Sequence, residues 1–306
     1  MSPREVMARG ITAVLGTAPV AALASRAWAD ELRILAFHRV PDPAAFDRQL
    51  AMLSKRVTFV SEAQVREAAH GGSPLPPKAV WVTFDDGDPT VVSNGLPALA
   101  RHGVPATIYV CPGLIESGSA PWWDIVTGAG EHGHGADLGR GHLVGSPLVT
   151  ALKKIPDEQR RQVVDDLRRH AGSAADEGRA ITVRALEQWV DAGCTVGNHT
   201  WDHPCLDQCT PAEQADQIER AHRWVEAFRP DHRPTFAYPN GDRTDDAEAV
   251  LVALGYDLAL LFDHALAAPG DPPLRMSRLR LDTTSSPRRT RAVVSGAHSK
   301  LFGVRG

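Results

Sequence analysis

Two short stretches of this 306-residue chain carry side chains suited to metal-assisted chemistry. The first is Val80-Trp-Val-Thr-Phe84, which runs directly into Asp85-Asp86-Gly87. Adjacent carboxylates at the end of a buried apolar run are costly to desolvate without compensation, and metal ligation is one such compensation. The same residues also fit a plain polar turn in which Gly87 supplies a positive φ. The second stretch is Gly197-Asn-His199-Thr-Trp-Asp-His203-Pro204. Histidines four apart on a helix share a face, but Pro204 pushes His203 out of helical geometry, so a structured loop must present both imidazoles. One aspartate with two histidines makes a three-point site with open positions; Zn²⁺ suits it, and Co²⁺, Ni²⁺, Mn²⁺ or Fe²⁺ fit the same frame. A third stretch, Phe236-Ala-Tyr-Pro239-Asn-Gly241, combines a fixed φ at proline with a glycine turn, which can aim backbone N–H groups at an oxyanion.

These stretches need elements that bring them together. Short β-rich apolar runs at 32–37, 79–84, 106–110, 195–198, 235–238 and 257–261 alternate with helical patterns at 42–53, 61–69, 94–102, 157–170, 183–192, 211–228 and 245–254. Strand alternating with helix predicts parallel strands joined by crossovers, an α/β fold of barrel or doubly wound type. In such folds ligands gather at the C-terminal ends of the strands, where both the aspartate pair and the histidine pair fall. The stretch 113–145 breaks the rhythm with nine glycines and three histidines and reads as a long surface loop. Within it, Glu131-His-Gly-His134 offers metal-binding types that are equally at home in solvent. Trp122 and Trp123 offer flat apolar faces to a sugar ring, with core packing as the other reading, and Trp201 is placed to pack behind the histidines. His38, ending the first strand, fits the same rim and equally a structural hydrogen bond.

With these motifs the chain resembles the polysaccharide deacetylases, the NodB-homology group also called carbohydrate esterase family four. The resemblance covers roughly 32–282 and rests on Thr83-Phe-Asp-Asp-Gly87, His199-Thr-Trp-Asp-His203-Pro204 and Tyr238-Pro-Asn-Gly241, in the family's order. Leu35-Ala-Phe-His38-Arg-Val40 and Arg278-Leu-Arg-Leu-Asp282 look like the first and last strands of a branch with a Tyr-His-Arg-Val start. The resemblance implies a distorted or incomplete (β/α) barrel that removes acetyl groups from an N- or O-acetylated polysaccharide or oligosaccharide. It implies that Asp86, His199 and His203 hold a metal, zinc first among the candidates, while Asp85 acts as general base. The backbone of Asn240 would face the oxyanion, Tyr238 and Pro239 would line the substrate site together with His38, and His264 is the positional candidate for the general acid. Two departures stand out. Ala237 occupies a position where the family often has an arginine paired with the base, a role for which Arg278 is a candidate although a surface position is the commoner fate of an arginine, and the late Leu-x-His is replaced by Leu261-Phe-Asp-His264. A catalytically silent glycan-binding module and a deacylase of a small non-glycan amide are the competing readings. A two-His-one-carboxylate iron oxygenase calls for a His-x-Asp pair that neither histidine starts.

Composition narrows the partners. With 33 Lys and Arg against 37 Asp and Glu, net charge −4, there is no electrostatic footprint for nucleic acid or an anionic membrane. At the N-terminus, Arg4 and Arg9 precede the apolar run 11–24 and then Ala27-Trp28-Ala29, the grammar of a secretory signal over 1–29 followed by one catalytic domain over 30–306 with an insertion at about 113–180. The run is too short for a membrane span, so an exported protein, periplasmic or extracellular, is expected. Cys111, Cys194, Cys205 and Cys209 form no metal knuckle and read as free or buried thiols. Oligomeric state is not encoded in any of these features.

Overall fold

Runs rich in valine, isoleucine and aromatic residues pack well on a pleated surface, and here they become parallel strands buried on both faces. The computed structural model describes residues 10–139, 141–171 and 180–302. Its main sheet comprises β1 (Arg33–Phe37), β2 (Thr58–Phe59), β3 (Ala79–Phe84), β4 (Ala106–Val110), β7 (Thr195–Asn198), β8 (Phe236–Ala237), β9 (Ala259–Leu260) and β10 (Leu279–Arg280). The order is β10-β1-β3-β4-β7-β8-β9 with β2 paired to β3, and every pairing is parallel. The segment ahead of β10 touches both edges: Met276 bridges Leu260, and Leu279 pairs with Leu35. So few pairs at the seam leave the curled sheet an incomplete barrel, the α/β architecture the motifs implied.

Because all strands run the same way, the residues that follow β1, β3, β7, β8 and β9 share one rim. The register puts Phe37 beside Phe84, so His38 stands level with Asp85. Beneath the rim Phe37, Phe46, Phe84 and Trp189 interlock, with Phe84 and Trp189 edge to face at 5.9 Å. Helices begin where capping chemistry says they should. Ser61 with Gln64 and Thr210 with Glu213 close full capping boxes, and Asp42 accepts from the Ala45 N–H at 2.9 Å.

The expected loop at 113–145 is a correction. It folds as the helices Pro112–Ser117 and Trp122–Glu131, the antiparallel pair β5 (Gly135–Asp137) and β6 (His142–Val144), and the start of the helix Gly145–Leu152. Trp122, Ile125, Val126 and Ala129 recur at helical spacing and bury one stripe, a signal that the glycines around them obscured. With Leu148, Leu152, Val164 and Leu167 they form a separate apolar core, so the insertion is a helical cap.

The segment read as a signal also packs. The helix Ala18–Ala27 buries Ala21 and Ala24, Arg291 donates to the Gly16 carbonyl at 2.9 Å, and a Cβ on Gly16 would sit 2.0 Å from the Arg288 carbonyl oxygen. Residues 1–9 of that segment lie outside the described residues, as do 172–179 of the insertion. Among the described residues no helix is long and apolar enough to cross a membrane.

Candidate metal and acyl-transfer site

The rim brings three of the proposed ligands together. One ligand atom from each of Asp86, His199 and His203 lies within 4.8 Å of the others, the only such cluster among the described residues, so Glu131, His132 and His134 form none. Asp86 Oδ1 is 3.4 Å from Nε2 of both histidines and has no hydrogen-bond partner although it is buried. His199 Nδ1 donates to the Ala237 carbonyl at 2.7 Å, which turns its Nε2 towards Asp86. A carboxylate oxygen and two imidazoles converging on one point make a donor set that fits a divalent metal.

The backbone here is held in sparsely populated conformations. Asp86 (φ 70), Thr200 (φ 67), His203 (φ 61) and Asn240 (φ 56) are non-glycine residues in the left-handed region. Side chains from behind enforce them: Asn198 Oδ1 accepts from the Thr200 N–H at 2.8 Å, and Gln217 Oε1 takes the N–H groups of both Trp201 and Asp202 at 3.1 Å. The cap adds its own clamps. Trp122 Nε1 donates to the His203 carbonyl at 3.1 Å, the Gly113 N–H donates to the Trp201 carbonyl at 2.8 Å, and Arg161 forks onto Asp202 at 2.7 and 2.8 Å.

Asp85 lies beside the cluster in a different environment. Arg278 grips it bidentately, Nη1 to Oδ1 and Nη2 to Oδ2, both at 2.7 Å, with the side chains 0% and 3% exposed. Arg278 is itself aimed by the Leu261 carbonyl at 2.6 Å and by Thr83 Oγ1 at 3.3 Å. Burial alone would raise the Asp85 carboxyl; the guanidinium, followed by His199, outweighs it and holds the group below the usual carboxylate range. Asp86 is also held low, burial opposing and the His199, His203 and His38 rings prevailing. His199 is raised because Asp85 and Asp86 overcome its burial. His203 goes the other way, pushed down to about 3 by burial against the pull of Asp86, with His199 and Lys153 adding positive charge.

A cavity of about 330 Å³ opens over this floor, lined by Asp85, Asp86, His199 and His203 together with His38, Trp123, Asn240, Phe262 and one face of the helix Gly145–Leu152. A second cavity of about 370 Å³ shares His38, Asp86 and Trp123 and continues past Arg39, Asp282, Thr283 and Thr284. The two adjoin through these shared residues.

Other candidates fall elsewhere. Trp122 is buried with its N–H committed, whereas Trp123 packs its ring 4.5 Å from that of His203 and faces the groove. Tyr238 is fully buried against Phe236 with its hydroxyl on the Leu274 carbonyl, and neither it nor Pro239 lines the cavity. Trp201 packs its indole against Gly113 and under Arg220. His264 has φ 60 and turns onto the helix Ala297–Phe302. Its Nδ1 accepts from the Arg280 N–H, and its Nε2 meets His298 Nδ1 at 2.8 Å, so both nitrogens are used away from the groove. Burial, with His298 and Arg280, pushes it down to about 4. All four cysteines are free. Lys153, Phe262, Thr283 and Thr284 were not singled out from the sequence; Phe262, two residues past β9, and Thr283, directly after the last strand-like segment, carried a positional signal.

The family model for polysaccharide deacetylase matches residues 72–139 and 156–259, more than half of the chain, and the protein belongs to that family. Among curated proteins, the poly-beta-1,6-N-acetyl-D-glucosamine N-deacetylase of Escherichia coli K12 is 38% identical over 84 residues, a match spanning 24% of this chain and 12% of that protein. Among solved structures, the deacetylase PplD of Streptococcus pyogenes in complex with acetate superposes with TM-score 0.59 at 19% identity, covering 85% of this chain and 95% of that one. IcaB from Ammonifex degensii gives TM-score 0.59 at 21% identity over 88% and 97% of the two chains. At these identities the structural likeness establishes the fold.

Proposed function

We propose that this protein is a metal-dependent hydrolase that removes acetyl groups from an N-acetylated or O-acetylated polysaccharide, exported through its N-terminal signal. The observation that carries the reading is the Asp86, His199 and His203 cluster beside an Arg278-gripped Asp85 on the floor of an open groove. When bound to Asp86, His199 and His203, a divalent cation, zinc foremost, supplies Lewis acidity that lowers the pKa of water and polarises an acyl carbonyl. Asp85 keeps lone pairs free after both its oxygens accept from Arg278, and it takes the proton of the attacking water. Asn240, at the turn that follows β8, presents its left-handed backbone to the developing oxyanion. The leaving amine or sugar oxygen must be protonated, and with His264 bonded elsewhere that role passes to His38, which stands level with Asp85 and lines both parts of the groove. Trp123 offers the groove its one tryptophan face.

The test is acetate release from chitin oligomers, a partly acetylated exopolysaccharide and acetylated xylan, with chelator and then with Zn²⁺ or Co²⁺ restored. Metal-restored release from one glycan supports the reading and names the linkage. Metal binding without release from any of them points to a small non-glycan amide or to a glycan-binding role.

A further inference from the structure

The helix Gly145–Leu152 and its C-cap present Ser146, Val149, Thr150 and Lys153 to the cavity, positions spaced three and four apart on one face. These residues fall between the two segments that the family model matches, 72–139 and 156–259, so the model does not cover this wall. Lys153 is its charged member. Nζ donates to Asn240 Oδ1 at 2.5 Å, 87 residues away in sequence, and among the described residues Lys153 makes no ion pair. An ammonium has three donors, so two remain for a ligand. Asp85 is held by Arg278, and Asp242, near enough to feel the Lys153 charge, makes no ion pair with it among the described residues. Lys153 therefore faces the cavity with no ion-pair partner, next to the turn that presents Asn240.

We propose that Lys153 is a further catalytic residue, donating a charge-assisted hydrogen bond to the acyl oxygen as it becomes negative in the transition state. This rests on the hydrolytic reading above. In the step it serves, a water oxygen bonds to the acyl carbon and the C=O π pair moves onto the acyl oxygen. Collapse then breaks the bond to the leaving nitrogen or oxygen, which takes a proton and departs, giving acetate. Lys153 neither gains nor loses a proton; it stabilises charge that is absent from the ground state, which affects turnover more than substrate binding.

The experiment compares the zinc-loaded full chain with Lys153→Met, which keeps the aliphatic stem, and Lys153→Arg, which keeps the charge. Acetate release from a neutral N-acetyl oligomer gives kcat and KM, calorimetric titration with methylphosphonate probes a tetrahedral anion at the same place, and zinc stoichiometry reports the site's integrity. Expected for Lys153→Met is a kcat loss on the order of 10²–10³ with KM changed less than about threefold, methylphosphonate affinity reduced about tenfold or more, and partial recovery in Lys153→Arg. Near-normal kcat with unchanged methylphosphonate affinity overturns the proposal, as does loss of zinc from Lys153→Met, which would make the residue structural. A wild-type chain that releases no acetate from any glycan would sink the polysaccharide deacetylase reading and, with it, the catalytic role of Lys153. The methylphosphonate titration keeps that failure distinct, since a loss in the methionine variant would show that Lys153 binds a tetrahedral anion and no change would show that it does not.

Discussion

Replacing Arg278 with methionine tests the most heavily buried charge pair at the site. Asp85 and Arg278 are 3% and 0% exposed and joined by two 2.7 Å bonds, so the variant leaves a carboxylate in the interior without its partner. Removing one member of a buried pair costs about 3–5 kcal/mol. At a charge separation near 4 Å and an effective dielectric near 20, the lost attraction is about 4 kcal/mol, and the Asp85 carboxyl moves up. The sign follows from the direction of the native shift. Asp85 is depressed in the folded protein, so its contribution to stability is present above the unfolded carboxylate pKa and fades as pH falls through the folded value. Without Arg278 burial dominates and the carboxyl rises, so the destabilisation is full at pH 7 and shrinks towards acid, where Asp85 is neutral. Urea unfolding from pH 4 to 8 reads the first effect, and the acid limb of kcat/KM for acetate release reads the second, expected to move to higher pH. Asp85→Asn added to Arg278→Met should recover part of the lost stability, because the orphaned charge is gone. A loss below about 1 kcal/mol in Arg278→Met with an unmoved acid limb would refute the assignment of Asp85 as a base held ionised by this arginine.

Asp85→Asn alone should retain zinc and lose turnover, whereas His199→Ala should lose both; zinc retention by His199→Ala would contradict the ligand set. Without metal, His203 is neutral in the folded chain down to about 3 but binds a proton near 6.5 once unfolded, so stability should rise with pH across that window by at most about 1.4 kcal/mol per unit and level off above it. His203→Asn should flatten that slope, as urea midpoints would show. Trp123→Ala should weaken activity on polymer more than on a monosaccharide amide, since Trp123 borders both cavities; equal losses would limit it to holding His203. Gly113→Ala should cost about 1–3 kcal/mol by thermal unfolding, because the new Cβ would lie 2.5 Å from Trp201 Nε1 and 2.7 Å from the Trp201 carbonyl oxygen.

The sequence makes some parts of this molecule legible for a physical reason. The strand Ala79–Phe84 and the helix Pro211–Phe228 have the bounds read from pattern alone, because an all-apolar run ending in two carboxylates and a proline behind a capping threonine leave few alternatives. The cap was misread because glycine frequency was weighted above the stripe Trp122, Ile125, Val126 and Ala129, although tertiary burial overrides propensity. His264 shows the limit of positional reasoning. It follows a strand end, as a rim residue should, but its left-handed backbone turns the ring onto His298, and no neighbouring residue type announces that turn. Lys153 had no local signal at all, since its meaning depends on a contact across 87 residues.

The strain at the rim explains why the cap and the barrel form one functional unit. Asp86 and His203 sit in left-handed backbone, and such residues persist only where surrounding structure over-determines them, at about 1–3 kcal/mol each. Bringing Asp86 Oδ1 and two imidazoles together out of water adds a desolvation cost. The barrel supplies part of the restraint through Asn198 and Gln217; the rest comes from the cap, through Trp122 on the His203 carbonyl and Arg161 on Asp202. A cap that only covered substrate would have no need to bond the backbone of the ligand loop. Here the same helices that wall the groove also hold His203 in place, so loosening the cap should alter metal affinity as well as substrate choice. Trp122→Phe, which removes the bond to His203 and leaves the apolar packing, separates the two: weaker zinc binding with an intact fold follows if the cap orients the ligand, and unchanged zinc affinity would confine the cap to substrate recognition.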